Sequence, residues 1–93
     1  MPDLFTILAF YYACDQAAMT GALTSEQIHY CAAAYDQVKV RFLTEDELAA
    51  LAGLSYADRA VRLRKGYLRF KSWEAANPDM VDLLKRRALE RIA

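Results

Sequence analysis

Cys14, Cys31, His29 and two Asp-Gln pairs are the side chains whose types and spacing could do chemistry in this sequence. Cys14 and Cys31 fall opposite one another if the first two apolar segments fold as a helical hairpin, which opens a disulfide, a metal pair or a redox pair. The expectation is the plainer one, two thiols packed as small apolar residues. A metal would need four ligands, or three and a water, and His29 lies two residues from Cys31, roughly 200° around a helix. No metal site is expected. Asp15-Gln16 and Asp36-Gln37 would need a cleft to shift their pKa values before they could act as acid and base, and they read as solvated faces. The sequence has no Gly-rich phosphate loop and no nucleophile elbow, and no partner stands ready to build a triad on His29. A non-enzymatic protein without a cofactor is expected.

The remaining candidate chemistry is electrostatic. Net charge is zero, yet residues 1–50 hold 2 basic and 7 acidic side chains while residues 51–93 hold 10 and 5. That asymmetry points to an anionic partner for the second half, or to head-to-tail packing between copies. Its centre is "TEDELAALAGLSYADRAVRLRKGYLRF": a short helix, a Gly turn, a Ser cap and a basic helix, the outline of a helix-turn-helix. Residues 56–72 carry 6 basic side chains against 1 acid. Ser55 and Tyr56 at the helix start and Arg59, Arg62, Lys65 and Arg69 along one face are the candidate contacts to double-stranded DNA; Arg64 and Lys71 lie alongside and add to the charge. The alternative is a protein-interaction module, such as an adaptor, inhibitor or small regulator, whose cationic helix meets an acidic protein partner.

The order "LTSEQIHYCAAAYD", "LAALAGLSYADRA" and "NPDMVDLLKRRALERI" resembles the start of phage terminase small subunits, whose helical N-terminal domain often reads LT-x-x-Q, an aromatic, A-Y, then A-G-Y-S and P-D-V. The matching positions are Leu23, Thr24, Gln27, Tyr30, Ala34, Tyr35, Ala52, Gly53, Ser55, Pro78, Asp79 and Met80. Proteins of that family bind viral DNA through a helix-turn-helix and assemble into rings. The resemblance implies DNA binding through the third and fourth helices.

The elements that would position these residues follow from helix physics. In "LTSEQI" and "LTEDEL" the Thr (Thr24, Thr44) and the residue three later (Gln27, Glu47) form capping boxes, and Leu23 with Ile28 and Leu43 with Leu48 sit at hydrophobic-staple positions. Ser55 caps a further helix, and Asn77-Pro78 starts the last. Gly21 and Gly53 fall where helices end. The predicted helices are 3–20, 25–42, 45–52, 56–75 and 78–92.

Helix 1 carries an apolar stripe at Leu4, Ile7, Tyr11, Cys14 and Ala18, and helix 2 one at Ile28, Cys31, Tyr35, Val38 and Phe42. About a turn at 21–23 they register antiparallel as Ala18 with Ile28, Cys14 with Cys31, Tyr11 with Tyr35, Ile7 with Val38, and Leu4 with Phe42. A second stripe on helix 1, Phe5, Leu8, Tyr12 and Met19, is left over; it meets a later helix or forms the interface of a homo-oligomer or partner. Helix 4 offers Tyr56, Ala60, Leu63, Tyr67 and Phe70 with Trp73 nearby, and helix 5 offers Val81, Leu84, Ala88 and Ile92.

The fold class expected is all-α: one domain over 1–93, a compact bundle of about five helices with an antiparallel N-terminal hairpin, a helix-turn-helix-like pair and a C-terminal helix. The run "LFTILAFYYAC" is about half the length that spans a bilayer and lacks the flanks of a secretory signal, so no membrane association is expected. Two cysteines are too few for a disulfide framework, which sets a cytoplasmic location as the default.

Overall fold

The computed structural model describes residues 3–21 and 23–92, with side chains to Ala88. Every regular element among them is an α-helix: α1 (Leu4–Met19), α2 (Ser25–Arg41), α3 (Glu45–Ala49), α4 (Tyr56–Ala76) and α5 (Pro78–Ile92). The predicted starts are present. Asp3 caps α1 by accepting from the Thr6 N–H at 2.9 Å, and both capping boxes are complete, with Thr24 and Gln27 exchanging hydrogen bonds at 3.2 and 2.9 Å, and Thr44 and Glu47 at 3.2 and 2.8 Å. Each such cap contributes about 1 kcal/mol. Gly21 and Gly53 have φ of 71° and 78°, the left-handed conformation that lets the chain leave α1 and the α3 turn without a Cβ penalty. Two details differ from the sequence reading. α3 is a single five-residue helix, its predicted last turn running on as separate turns. The Asn77 amide donates backward to the Trp73 carbonyl at 2.9 Å, so its side chain satisfies the end of α4.

The α1–α2 register is the predicted one. Cys14 and Cys31 are joined as a disulfide with their Cα atoms 5.5 Å apart. Tyr11 stacks on Tyr35 with ring centroids 5.8 Å apart. Ile7 and Val38 are buried in one cluster, with Leu4 and Phe42 packed at its edge. The pairing of the cysteines corrects the expectation of two separate thiols: the register that places them opposite each other also places them within bonding distance. An inference of compartment from unpaired cysteines therefore loses its premise. No described helix is long and apolar enough to cross a membrane.

The helices α1, α2, α4 and α5 pack in a closed circuit, each on two neighbours, around Ile7, Leu8, Tyr12, Val38, Phe70, Val81, Leu84 and Ala88. This core lies at the open end of the hairpin. Leu8 and Tyr12, from the leftover stripe, are buried in it, packed among residues that include α5's Val81, Leu84 and Ala88. Tyr12 keeps its polar tip satisfied, since its hydroxyl donates to Glu74 Oε2 at 2.6 Å while Lys71 approaches Oε1 at 2.6 Å. Burial, then the bond to Glu74, pushes the Tyr12 phenol well above its ordinary pKa, and burial pushes Tyr11 up to about 12. An aromatic belt of Tyr11, Phe42, Phe70 and Trp73 joins α1, α2 and α4, with Tyr11 edge-on to Phe70 at 5.4 Å and Phe42 at 5.6 Å from Phe70. Each pair adds about 1 kcal/mol to the area term.

Outside this core the molecule is thin. The accessible surface is 6515 Å², against about 5,500 Å² for a typical folded monomer of this mass. The radius of gyration is 14.0 Å, where about 12 Å is usual for a chain of this length. Two segments are sparsely packed: the distal hairpin, residues 13–33, in which no described residue is buried, and the first half of α4.

Candidate nucleic-acid interface

α4 is twenty-one residues long, and only its second half packs. It meets α2 at Gly66, where a Cβ would come within 2.0 Å of the Lys39 carbonyl oxygen. Such an approach is open only to glycine, and it fixes the crossing point. N-terminal to it, over residues 56–65, Leu63 alone is half-buried and every other residue is exposed. About three turns of helix, about 15 Å long, thus keep most of their surface in solvent, touching the body through Leu63 and through Arg62 and Lys65 beside Leu43 and Glu47. The predicted apolar stripe of α4 is accordingly corrected: Phe70 is buried and Tyr67 and Trp73 partly so, but Tyr56 is 91% exposed and Ala60 is exposed. Divergence is the cause, since on the N-terminal side of the crossing a groove separates Ala60 and Val61 from Tyr35 and Lys39 of α2.

The projecting segment carries most of the predicted phosphate-binding set. Ser55 caps it, its Oγ accepting from the Asp58 N–H at 3.2 Å. Arg59, Arg62, Arg64 and Lys65 are exposed on it, with Asp58 as its single acid. The helix adds its own positive end, because the unpaired first-turn N–H groups point outward beyond Tyr56.

Arg69 is placed differently from the expectation that it faces phosphate. Its guanidinium grips Glu47 with both arms, at 2.5 and 3.0 Å, and donates to the Phe42 carbonyl at 3.0 Å. It is a clamp tying the end of α2, the start of α3 and the middle of α4. Lys65 leans toward the same carboxylate, at 3.6 Å. Glu47 therefore serves twice, in the α3 capping box and as the anchor for α4. The sequence reading assigned only the first role, because capping accounted for the residue completely.

These contacts, the Arg69 hydrogen bonds first and the Thr44 backbone N–H next, hold the Glu47 carboxyl down at about 2. A carboxylate whose folded-state pKa lies below its unfolded value stabilises the fold above the unfolded pKa, and that stability is lost as pH falls toward the folded one. Thermal melts should therefore show a decline in Tm between about pH 4.5 and pH 2, part of which disappears in Glu47→Gln. An identical acid limb in wild type and variant would remove Glu47 from the account.

On the opposite side of α4 a groove of about 480 Å³ opens between the diverging helices, lined by Tyr35 and Lys39 of α2 and Ala60, Val61, Arg64 and Tyr67 of α4. Lys39 lies over the Tyr35 ring at 4.2 Å and 3.5 Å from Asp36, so its charge is already partnered. Arg64 faces this groove, away from Glu47. The cations of the projection thus surround the helix on several sides.

The residues predicted to mediate self-association divide. Leu8 and Tyr12 are core and have no surface to offer a second chain, whereas Phe5 and Met19 are 50% and 75% exposed. His29 is exposed and Cys31 half-buried, and no three His, Cys, Asp or Glu side chains converge among the described residues. No protein-family model, curated protein or solved structure matches this chain.

Proposed function

We propose that this is a non-enzymatic domain that binds double-stranded DNA through the projecting first half of α4. The observation that carries the reading is the exposure of every residue from 56 to 65 except Leu63, with four cations and one acid, on a helix long enough to enter a major groove. Arg59, Arg62, Arg64 and Lys65 would contact phosphates, and Ser55 and Tyr56 would meet the duplex first. The arrangement is not that of a compact helix-turn-helix, since α3 is one short turn tethered by Glu47 rather than a packed supporting helix. The resemblance to phage terminase small subunits supports DNA binding as such, not a compact helix-turn-helix mode of it.

Titration of a fluorescent mixed-sequence duplex tests it. Four phosphate contacts predict a slope of log K against log salt of about −3.6, so that raising salt from about 50 to 200 mM weakens binding about a hundredfold. Arg59→Glu combined with Arg62→Glu should abolish most of the affinity and leave the unfolding free energy within about 1 kcal/mol of wild type. Absence of any complex at the lowest salt would remove the reading.

A second reading, a protein-interaction module or homo-oligomer, is favoured by one specific observation. Phe5, Phe10, Ile28, Tyr30 and Val61 are among the large apolar side chains left exposed, on a surface about 1,000 Å² larger than a monomer of this mass ordinarily shows. An acidic protein partner would use the same cationic projection.

A further inference from the structure

We propose that the Cys14–Cys31 disulfide is a redox-sensitive staple, whose reduction by a small thiol of the glutathione class releases the distal half of the α1–α2 hairpin and leaves the core folded. The bond joins the two helices in a stretch where only half-buried side chains such as Ala17 and Leu23 lie between them. No described residue between 13 and 33 is buried, and neither α4 nor α5 contributes to the core cluster at that end. Closer to the core the hairpin has independent support, from the stacked Tyr11 and Tyr35 and from Ile7 and Val38 within the cluster. The bond therefore divides the hairpin into a packed half and a half that depends on it.

Access is built in. Both cysteines are half-buried, and they line shallow grooves on both sides of the hairpin, one of about 230 Å³ with Phe10, Ala17 and Tyr30, the other of about 190 Å³ with Tyr11, Asp15 and Tyr35. A glutathione thiolate can reach sulfur from either side. It attacks one Sγ, the S–S bond breaks, and the other cysteine leaves as a thiolate. A second glutathione thiolate attacks the glutathione sulfur of the mixed disulfide, releasing oxidised glutathione and the remaining cysteine thiolate. Two electrons pass to the protein, and solvent protonates the two thiolates. The apolar groove walled by Phe10, Ala17 and Tyr30 exists only while the helices are held together, so a partner seated there would sense the redox state.

Hydrogen exchange on the full chain tests the staple. In the oxidised protein against the protein reduced with glutathione and alkylated, amides of residues 15–31 should exchange roughly a hundredfold faster after reduction, the loss expected when a loop of this size is opened. Amides of residues 66–88 should be unchanged. Equal protection of the hairpin in both states would overturn the proposal, as would equal loss throughout the core. Cys14→Ser with Cys31→Ser should exchange like the reduced wild type, and full protection in that variant would also overturn it. Alkylation followed by intact mass must show two labelled thiols after millimolar glutathione and none before; a bond that resists glutathione is structural only.

Discussion

Leu8→Glu is expected to unfold the domain outright. Leu8 is fully buried, with Ile7, Tyr12, Val38, Phe70, Val81, Leu84 and Ala88 around it. Deleting the side chain alone would cost about 2–5 kcal/mol. A carboxylate in its place has no cation within the cluster and must either remain charged in an apolar site or bind a proton, which adds several kcal/mol. A domain of 93 residues has roughly 5–14 kcal/mol of stability in total. The far-UV circular dichroism of the variant should therefore be that of a largely unfolded chain at room temperature. Phe5→Glu supplies the contrast. Half of Phe5 is already in water, so the unfolding free energy of this variant should lie within about 1 kcal/mol of wild type. If helix 1 also mediates self-association, sedimentation of Phe5→Glu at high concentration should show the smaller mass. A folded Leu8→Glu monomer derived from a larger wild-type species would instead place Leu8 at an interface, against the packing described.

The difference between these two residues, three positions apart on one stripe, shows what the sequence can and cannot convey. Their periodicity identifies an apolar face. It does not say how far along that face a neighbour reaches. The hairpin register was legible because two stripes constrain each other about a fixed turn, and a shift by one position would break all five pairings at once. The capping boxes were legible because they are local, needing only residues three apart. The same reasoning placed Cys14 opposite Cys31, although it could not choose between two thiols and a bond. For α4 there was no such mutual constraint. Its heptad runs unbroken from Tyr56 to Phe70, yet only the portion from Gly66 onward packs closely, and the basic residues of its first half are exposed because α4 diverges from α2 there. Arg69 and Arg62 are equivalent in a helical-wheel reading; a carboxylate from another element, twenty-two positions away, separates the clamp from the free cation.

The glycine within α4 is a further signal in the sequence. A glycine inside an otherwise well-formed helix costs about 1 kcal/mol relative to alanine, so its presence at Gly66 calls for a packing reason. That reason is the Lys39 backbone: an added Cβ would lie 2.0 Å from the carbonyl oxygen and 2.8 Å from the carbonyl carbon. Both groups belong to helical backbone, so no side-chain rotation relieves the overlap, and α4 must move away from α2. The separation would pull Phe70 from Phe42 and Tyr67 from Tyr35, whose rings are 5.6 and 5.9 Å apart. Two opposing terms compete in Gly66→Ala: the intrinsic helix preference gains about 1 kcal/mol, while overpacking against backbone costs about 3 kcal/mol or more. The steric term wins, for a net loss of about 2 kcal/mol and a fall in Tm of about 8–16 °C. Arg64→Ala, two residues earlier on the free part of the same helix, should change Tm little, because nothing there packs on α2 closely. If Gly66→Ala melted at or above the wild-type temperature, propensity would have prevailed, α2 and α4 would not cross at this point, and the clear projection of residues 56–65 on which the DNA-binding reading rests would lose its geometric basis.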